Sequence, residues 1–155
     1  MNIVHSDILS NLSSDTFTVI CHQTNCRGVA GAGLAKAIRE RFPNWYSAYR
    51  AVASPDMLGN AQFTPTDASF ACVICNLYGQ LDFGRDKRYT EYRALRRSLK
   101  TLRNWLDKIG VTEDYEIRIP YGIGCGLAGG DWSYVSEILE TELRGLNWNV
   151  YKLKV

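Results

Sequence analysis

The apolar positions along the chain fall into two rhythms. Short continuous runs read as buried strands: FTVIC at 17–21, FACVICNL at 70–77, YEIRIP at 115–120 and WNVYKLK at the end. Longer stretches recur at helical spacing. GLAKAIRERF, 33–42, is a helix stopped by Pro43, and NWYSAYRAVA is a second that stops before Pro55. A long helix spans about 90 to 108, with Tyr92, Leu95, Leu99, Leu102, Leu106 and Ile109 on one stripe. In WSYVSEILETELRGL, Val135, Ile138, Leu139, Leu143 and Leu146 face inward, with Gly145 near the end. Strands that alternate with helices and lack a polar face predict an α/β protein whose sheet is covered on both sides.

Composition narrows this modestly. The 155 residues are 46% hydrophobic and 22% charged, enough for one domain over residues 1–155 that buries its own core. Lys plus Arg number 18 against 16 acidic residues, which argues against a general nucleic-acid coat. No leader-like or membrane-spanning run is present, and five irregularly spaced cysteines suit a reducing compartment, so a cytoplasmic monomer is expected. His5 and His22 are the only histidines, which excludes a His-rich metal site. Cys72 and Cys75 spell CxxC, but residues three apart on a strand point to opposite faces, so they are read as core.

The informative residues lie where strands hand over to helices. HQTNCRGVAGAGLAKAI, 22–38, and PYGIGCGLAGGDW, 120–132, together hold eight of the thirteen glycines. Before the helix begins, over 22–33, Arg27 is the only Lys or Arg of the first stretch, and none occurs in the second. Glycine lets a ligand approach the backbone, and a helix start offers unpaired N–H groups and a positive dipole end. Two such loops at one end of a sheet make an amide cradle for a diphosphate. The Gly-Lys-Ser/Thr ending of a P-loop is missing, which disfavours triphosphate hydrolysis, and the spacing is not a clean dinucleotide fingerprint.

These segments, with HSDIL, NLYGQ and RYTEYRALRRSLKTL, resemble the macro domains, which bind ADP-ribose, over nearly the whole chain. The resemblance is strongest in IPYGIGCGLAGGDWSYV and points to the branch of ADP-ribose-1''-phosphate phosphatases and terminal ADP-ribose glycohydrolases. It implies a three-layer α/β/α fold with a mixed, largely parallel sheet and no cofactor. It implies that Asp7 accepts the adenine amino group, that the Ile8 amide meets the adenine edge and that Asn25 holds the distal ribose. Gly28, Val29, Ala30, Gly31, Ala32 and Gly33, with Gly124, Cys125, Gly126, Leu127, Ala128 and Gly129, would wrap the diphosphate and distal ribose. Tyr78 or Phe83 would line the distal part, or else sit in the core.

The glycohydrolases of that branch place a lysine before a Thr-Tyr segment and an aspartate after Gly-Cys-Gly-Leu. Here those positions hold Tyr89 and Ala128, with Lys87 two residues before Tyr89. The remaining catalytic candidates are His22 with Asn25, Asp131 and Lys87. Each has a plainer alternative: a hydrogen-bonded structural histidine, a helix N-cap and a solvated loop lysine. Cys125 lies before a helix, where a thiolate could be stabilised, though packing explains it as well. Arg93, Arg96, Arg97, Lys100 and Arg103 form a basic stripe that either contacts phosphates of a nucleic acid or an ADP-ribosylated partner, or is a solvated face. Three functions follow: a hydrolase acting on ADP-ribose derivatives, a non-catalytic ADP-ribose reader, and a nucleic-acid-binding module.

Overall fold

A computed structural model describes residues 1–111 and 114–154. In chain order the elements are β1 (Ile3–Val4), β2 (Phe17–Asn25), α1 (Gly33–Arg41), α2 (Pro43–Val52), β3 (Ala61–Pro65), β4 (Cys72–Gln80), α3 (Tyr92–Ile109), β5 (Tyr115–Pro120), α4 (Trp132–Glu142) and β6 (Trp148–Tyr151). They form a three-layer α/β/α fold around a six-stranded sheet ordered β1-β6-β5-β2-β4-β3. All neighbours are parallel except β3, which runs antiparallel to β4.

The pleat divides the core in two. Val19, Cys21, Cys75, Leu77, Ile117 and Ile119 pack with Leu95, Leu99 and Leu102 of α3 and Val135 and Leu139 of α4. Ile20, Cys72, Ile74 and Tyr78 pack with Ile38 of α1 and with Trp45 and Tyr49 of α2. Cys72 and Cys75 therefore sit on opposite faces, as the strand period requires.

Two strands lie outside the sequence reading. β1 is two residues long, too short to show any alternation. β3 is a half-buried edge strand ending in Pro65, with no run of apolar residues. β4 begins at Cys72 rather than at residue 70, because Phe70 has φ +58° and points to solvent. Ile109 ends the α3 stripe half-exposed, since Gly110 turns the chain away in the left-handed region.

β2 and β5 are neighbours, and both loops leave from their carboxyl ends. That adjacency brings the two glycine-rich segments side by side at one edge of the sheet. No helix among the described residues is long and apolar enough to cross a membrane.

Candidate functional site

A cavity of about 520 Å³ opens at this edge. Residues 29–35 form one wall, Gly122–Gly124 with Gly126–Ala128 form the other, and Phe83–Arg85 close one end. A second cavity of about 460 Å³ is lined by Asp7, Ile8, Tyr151 and Lys152. The two share Gly33, Leu34, Pro120 and Tyr121, so they form one elongated trench.

α1 supplies the first donors. Its N-cap, Ala32, has no side-chain acceptor, and its first turn has no acidic residue. The amides of Gly33, Leu34 and Ala35 thus face the cavity uncapped, at the positive end of the helix dipole. The loop before it is shaped by Asn25. Its Oδ1 accepts from the amides of Arg27 (3.0 Å) and Val29 (3.2 Å) and from the Tyr49 hydroxyl (2.9 Å), and its Nδ2 donates to the Val29 carbonyl (2.9 Å). Asn25 lines the cavity, and these bonds make its side chain the brace of the loop.

The second loop folds on itself. Cys125, Gly129 and Gly130 donate to the carbonyls of Gly122, Gly126 and Gly124, leaving the Gly126, Leu127 and Ala128 amides without an acceptor among the described residues. Gly124 has φ +72°, and a Cβ there would lie 2.8 Å from Gln23 Oε1. Gln23 Nε2 donates to Thr90 Oγ1 (2.8 Å), whose hydroxyl donates to the Gly124 carbonyl (2.6 Å). The amides of Tyr89 and Thr90 both donate to the Ala128 carbonyl. These bonds tie the loop to β2 and to the segment before α3.

The helix that follows is closed. Asp131 caps α4, its Oδ1 accepting from the Ser133 amide (2.9 Å) and hydroxyl (2.7 Å), and these bonds hold the carboxyl below its ordinary range. The sequence predicts two helix entrances facing the ligand; the structure supplies one, with the second set of donors coming from a turn. Asp131 does not line the cavity, and neither does Lys87, whose Nζ rests 5.1 Å from the Tyr89 ring centre.

His22 sits on the cavity floor with its imidazole buried against Trp45. Asn76 Oδ1 can only accept, so the 2.8 Å contact fixes the proton on His22 Nε2. Burial pushes the ring down to about 4, and it is neutral at physiological pH. Tyr78 is fully buried, its hydroxyl donating to Gln62 Oε1 (2.6 Å), and it lies in the core rather than on the cavity wall; Phe83 lines the wall. Cys125 donates to the Ile123 carbonyl, and burial, with Asp131 nearby, raises its thiol to about 11. No stabilised thiolate forms there.

Asp7 and Ile8 line the second cavity. Asp7 Oδ1 accepts from the Leu9 amide (2.9 Å), which orients the carboxylate at the mouth. The loop around them depends on a residue the sequence reading passed over. Buried Arg118 donates to the carbonyls of Ile8 (2.9 Å), Ser10 (2.6 Å) and Asn11 (3.3 Å) while Glu116 balances its charge at 2.8 Å. Arg41 holds the Leu9 carbonyl. Tyr121, Tyr151 and Arg85 were likewise missed as lining residues. Tyr121 was discoverable as the aromatic beside Gly122; Arg118 was not, because a single arginine inside an apolar strand carries no periodic signal.

The basic stripe of α3 is largely committed inside the molecule. Arg96 and Lys100 pair with the buried Glu142 at 3.2 and 3.1 Å, and Arg103 donates to the carbonyls of Glu142 and Arg144. Three of its five cations thus anchor the end of α4, which weakens the nucleic-acid reading.

No known family model matches the chain. It is 24% identical to an ADP-ribose 1''-phosphate phosphatase of Saccharomyces cerevisiae, over 87% of this chain and 89% of that protein. A macrodomain protein from Streptomyces coelicolor superposes with a TM-score of 0.75 at 26% identity, covering 97% of each chain. The macrodomain of Mycobacterium tuberculosis DarG superposes at 0.77 with 20% identity, covering 96% of each. Fold, trench and sequence relationship agree: the chain has the macrodomain fold and is related in sequence to the ADP-ribose-1''-phosphate phosphatases.

Proposed function

We propose that this protein binds ADP-ribose derivatives and hydrolyses ADP-ribose-1''-phosphate. The observation that carries the binding is the uncapped start of α1 facing the free amides of Gly126–Ala128 across one cavity. A diphosphate satisfies both sets of donors without a lysine. The trench then runs in one direction to Asp7 and Ile8, suited to the adenine end, and in the other to Asn25, Gln80 and Phe83, suited to the distal ribose.

For the hydrolysis, His22 is the lining side chain with a neutral, unprotonated nitrogen: with Nε2 committed to Asn76, Nδ1 is the acceptor. A water oriented there gives a proton to Nδ1 as its oxygen bonds to phosphorus; the bond from phosphorus to the C1'' oxygen breaks, and that oxygen takes up the proton and leaves as the ribose hydroxyl. Binding at the adenine end holds the phosphate in place for this step. The relationship to the yeast phosphatase supports the choice of substrate. A reader without turnover is the second reading, favoured by one observation: among the described residues no carboxylate lines the cavity around the distal ribose.

Calorimetry with ADP-ribose tests the binding, and saturable heat is expected. Incubation with ADP-ribose-1''-phosphate tests the chemistry, and inorganic phosphate should be released by the wild type and not by His22→Ala. Binding without phosphate release would leave the reader standing, and no binding at all would remove both.

A further inference from the structure

The segment between β4 and α3 carries a guanidinium that nothing in the preceding account uses. Arg85 lines the first cavity, with Phe83 and Gly84, and not the second, which holds Asp7. Among the described residues it is the only lining side chain of that cavity with a permanent charge. No carboxylate is among its neighbours on the wall, so no lining side chain opposes its field there.

The segment holds three carboxylates, Asp82, Asp86 and Glu91, and none of them forms an ion pair with it among the described residues. Asp82 pairs with Arg27 at 3.2 Å and accepts from the Phe83 amide at 2.8 Å. Asp86 accepts from the Tyr89 hydroxyl at 2.5 Å. The other cations nearby are occupied too: Lys87 lies over Tyr89, and Arg88 lies over Tyr92 with its Cζ 4.6 Å from the ring centre. Of the segment's cations, Arg85 alone has no ion pair, hydrogen bond or aromatic ring as partner among the described residues. The segment itself is pinned at both ends, by the Cys26 amide on the Leu81 carbonyl (3.1 Å) and by the Tyr89 amide on the Ala128 carbonyl (2.7 Å). Its guanidinium is therefore presented from a fastened support at the mouth.

We infer that Arg85 is a specificity-determining residue, selecting ADP-ribose derivatives with a phosphate on C1'' of the distal ribose over ADP-ribose itself. The inference rests on the binding reading above. The main-chain donors at the trench centre already answer the diphosphate, and a C1'' hydroxyl gives a guanidinium no reason to leave water. A phosphomonoester there offers the charge and the paired oxygens that the guanidinium fork matches.

The test is displacement of a fluorescent ADP-ribose probe by ADP-ribose and by its 1''-phosphonate, which cannot be hydrolysed. Wild type should prefer the phosphonate by about tenfold or more, the gain expected of one charge-assisted contact. In Arg85→Gln the preference should vanish while ADP-ribose affinity stays within about twofold, and Arg85→Lys should recover part of it. The wild-type preference should also shrink as salt is added. Equal affinity of wild type for the two ligands, or a preference that survives in Arg85→Gln, overturns the inference while leaving the site intact. Failure of wild type to bind ADP-ribose at all overturns the site reading instead.

Discussion

The two glycine-rich loops leave adjacent parallel strands, and each ends at a helix, yet they present opposite helix starts to the trench. The first loop delivers the chain to α1, which begins on Ala32 with nothing to cap it. The second delivers it to α4, which begins on Asp131 with its amides already answered by a carboxylate. The first is shaped by a side chain, Asn25, which gathers the amides before the helix so that those at the helix start stay free. The second is shaped by its own main chain, and its free amides lie mid-turn. Both are rich in glycine, so glycine alone does not say where an anion is held. The presence or absence of a cap does.

The largest expected effect concerns the support beneath the first loop. His22 is neutral in the fold until about pH 4, whereas an unfolded histidine takes up its proton near 6.5. Its contribution is complete above the unfolded value and is lost as pH falls from about 6.5 towards 4, a decline of about 3 kcal/mol. Denaturant midpoints measured across that range should show the decline in wild type and a flatter curve in His22→Gln. Parallel curves would mean that the imidazole is not held neutral by the fold.

Transplanting the cap comes next. Ala32 has the extended backbone of an N-cap residue, so Ala32→Asp can close α1 as Asp131 closes α4. The change should raise stability by about 1 kcal/mol. It should also weaken ADP-ribose binding about 100-fold, the order expected when a buried anion meets an unpaired carboxylate. Thermal melts and calorimetry on one preparation read both signs, and unchanged affinity would refute the role given to the α1 entrance.

Gly124→Ala probes the second loop. The added methyl meets Gln23 in a left-handed backbone, which should cost about 1–3 kcal/mol. By displacing the turn amides it should weaken binding about tenfold. The smallest effect belongs to Asp131→Ala. Removing that cap should lower the melting temperature slightly and leave affinity within about twofold, because the residues at the start of α4 do not line the trench. A large loss of binding in this variant would place the α4 start in the site after all.

Much of this was legible before any coordinates. The strands FTVIC and YEIRIP and the α3 stripe were visible because a buried strand and an amphipathic helix impose periods that local sequence must obey. The two loops stood out because few uses other than close backbone approach concentrate glycine without charge. Tyr78 and Phe83 could not be told apart, since both are aromatics near a strand end. Only the pleat, turning Tyr78 under α2, separates them.

The sequence by itself determined the alternation of elements, the positions of the loops and the lack of lysine in them, because each is a property of neighbouring residues. The tertiary structure alone decided that β2 and β5 lie side by side, that Arg118 reaches back to the carbonyls of Ile8, Ser10 and Asn11, and that Arg85 meets the cavity without a partner. Those facts join residues up to 110 positions apart. Such contacts are selected by the packing free energy of the whole sheet and its helices, which no local pattern encodes.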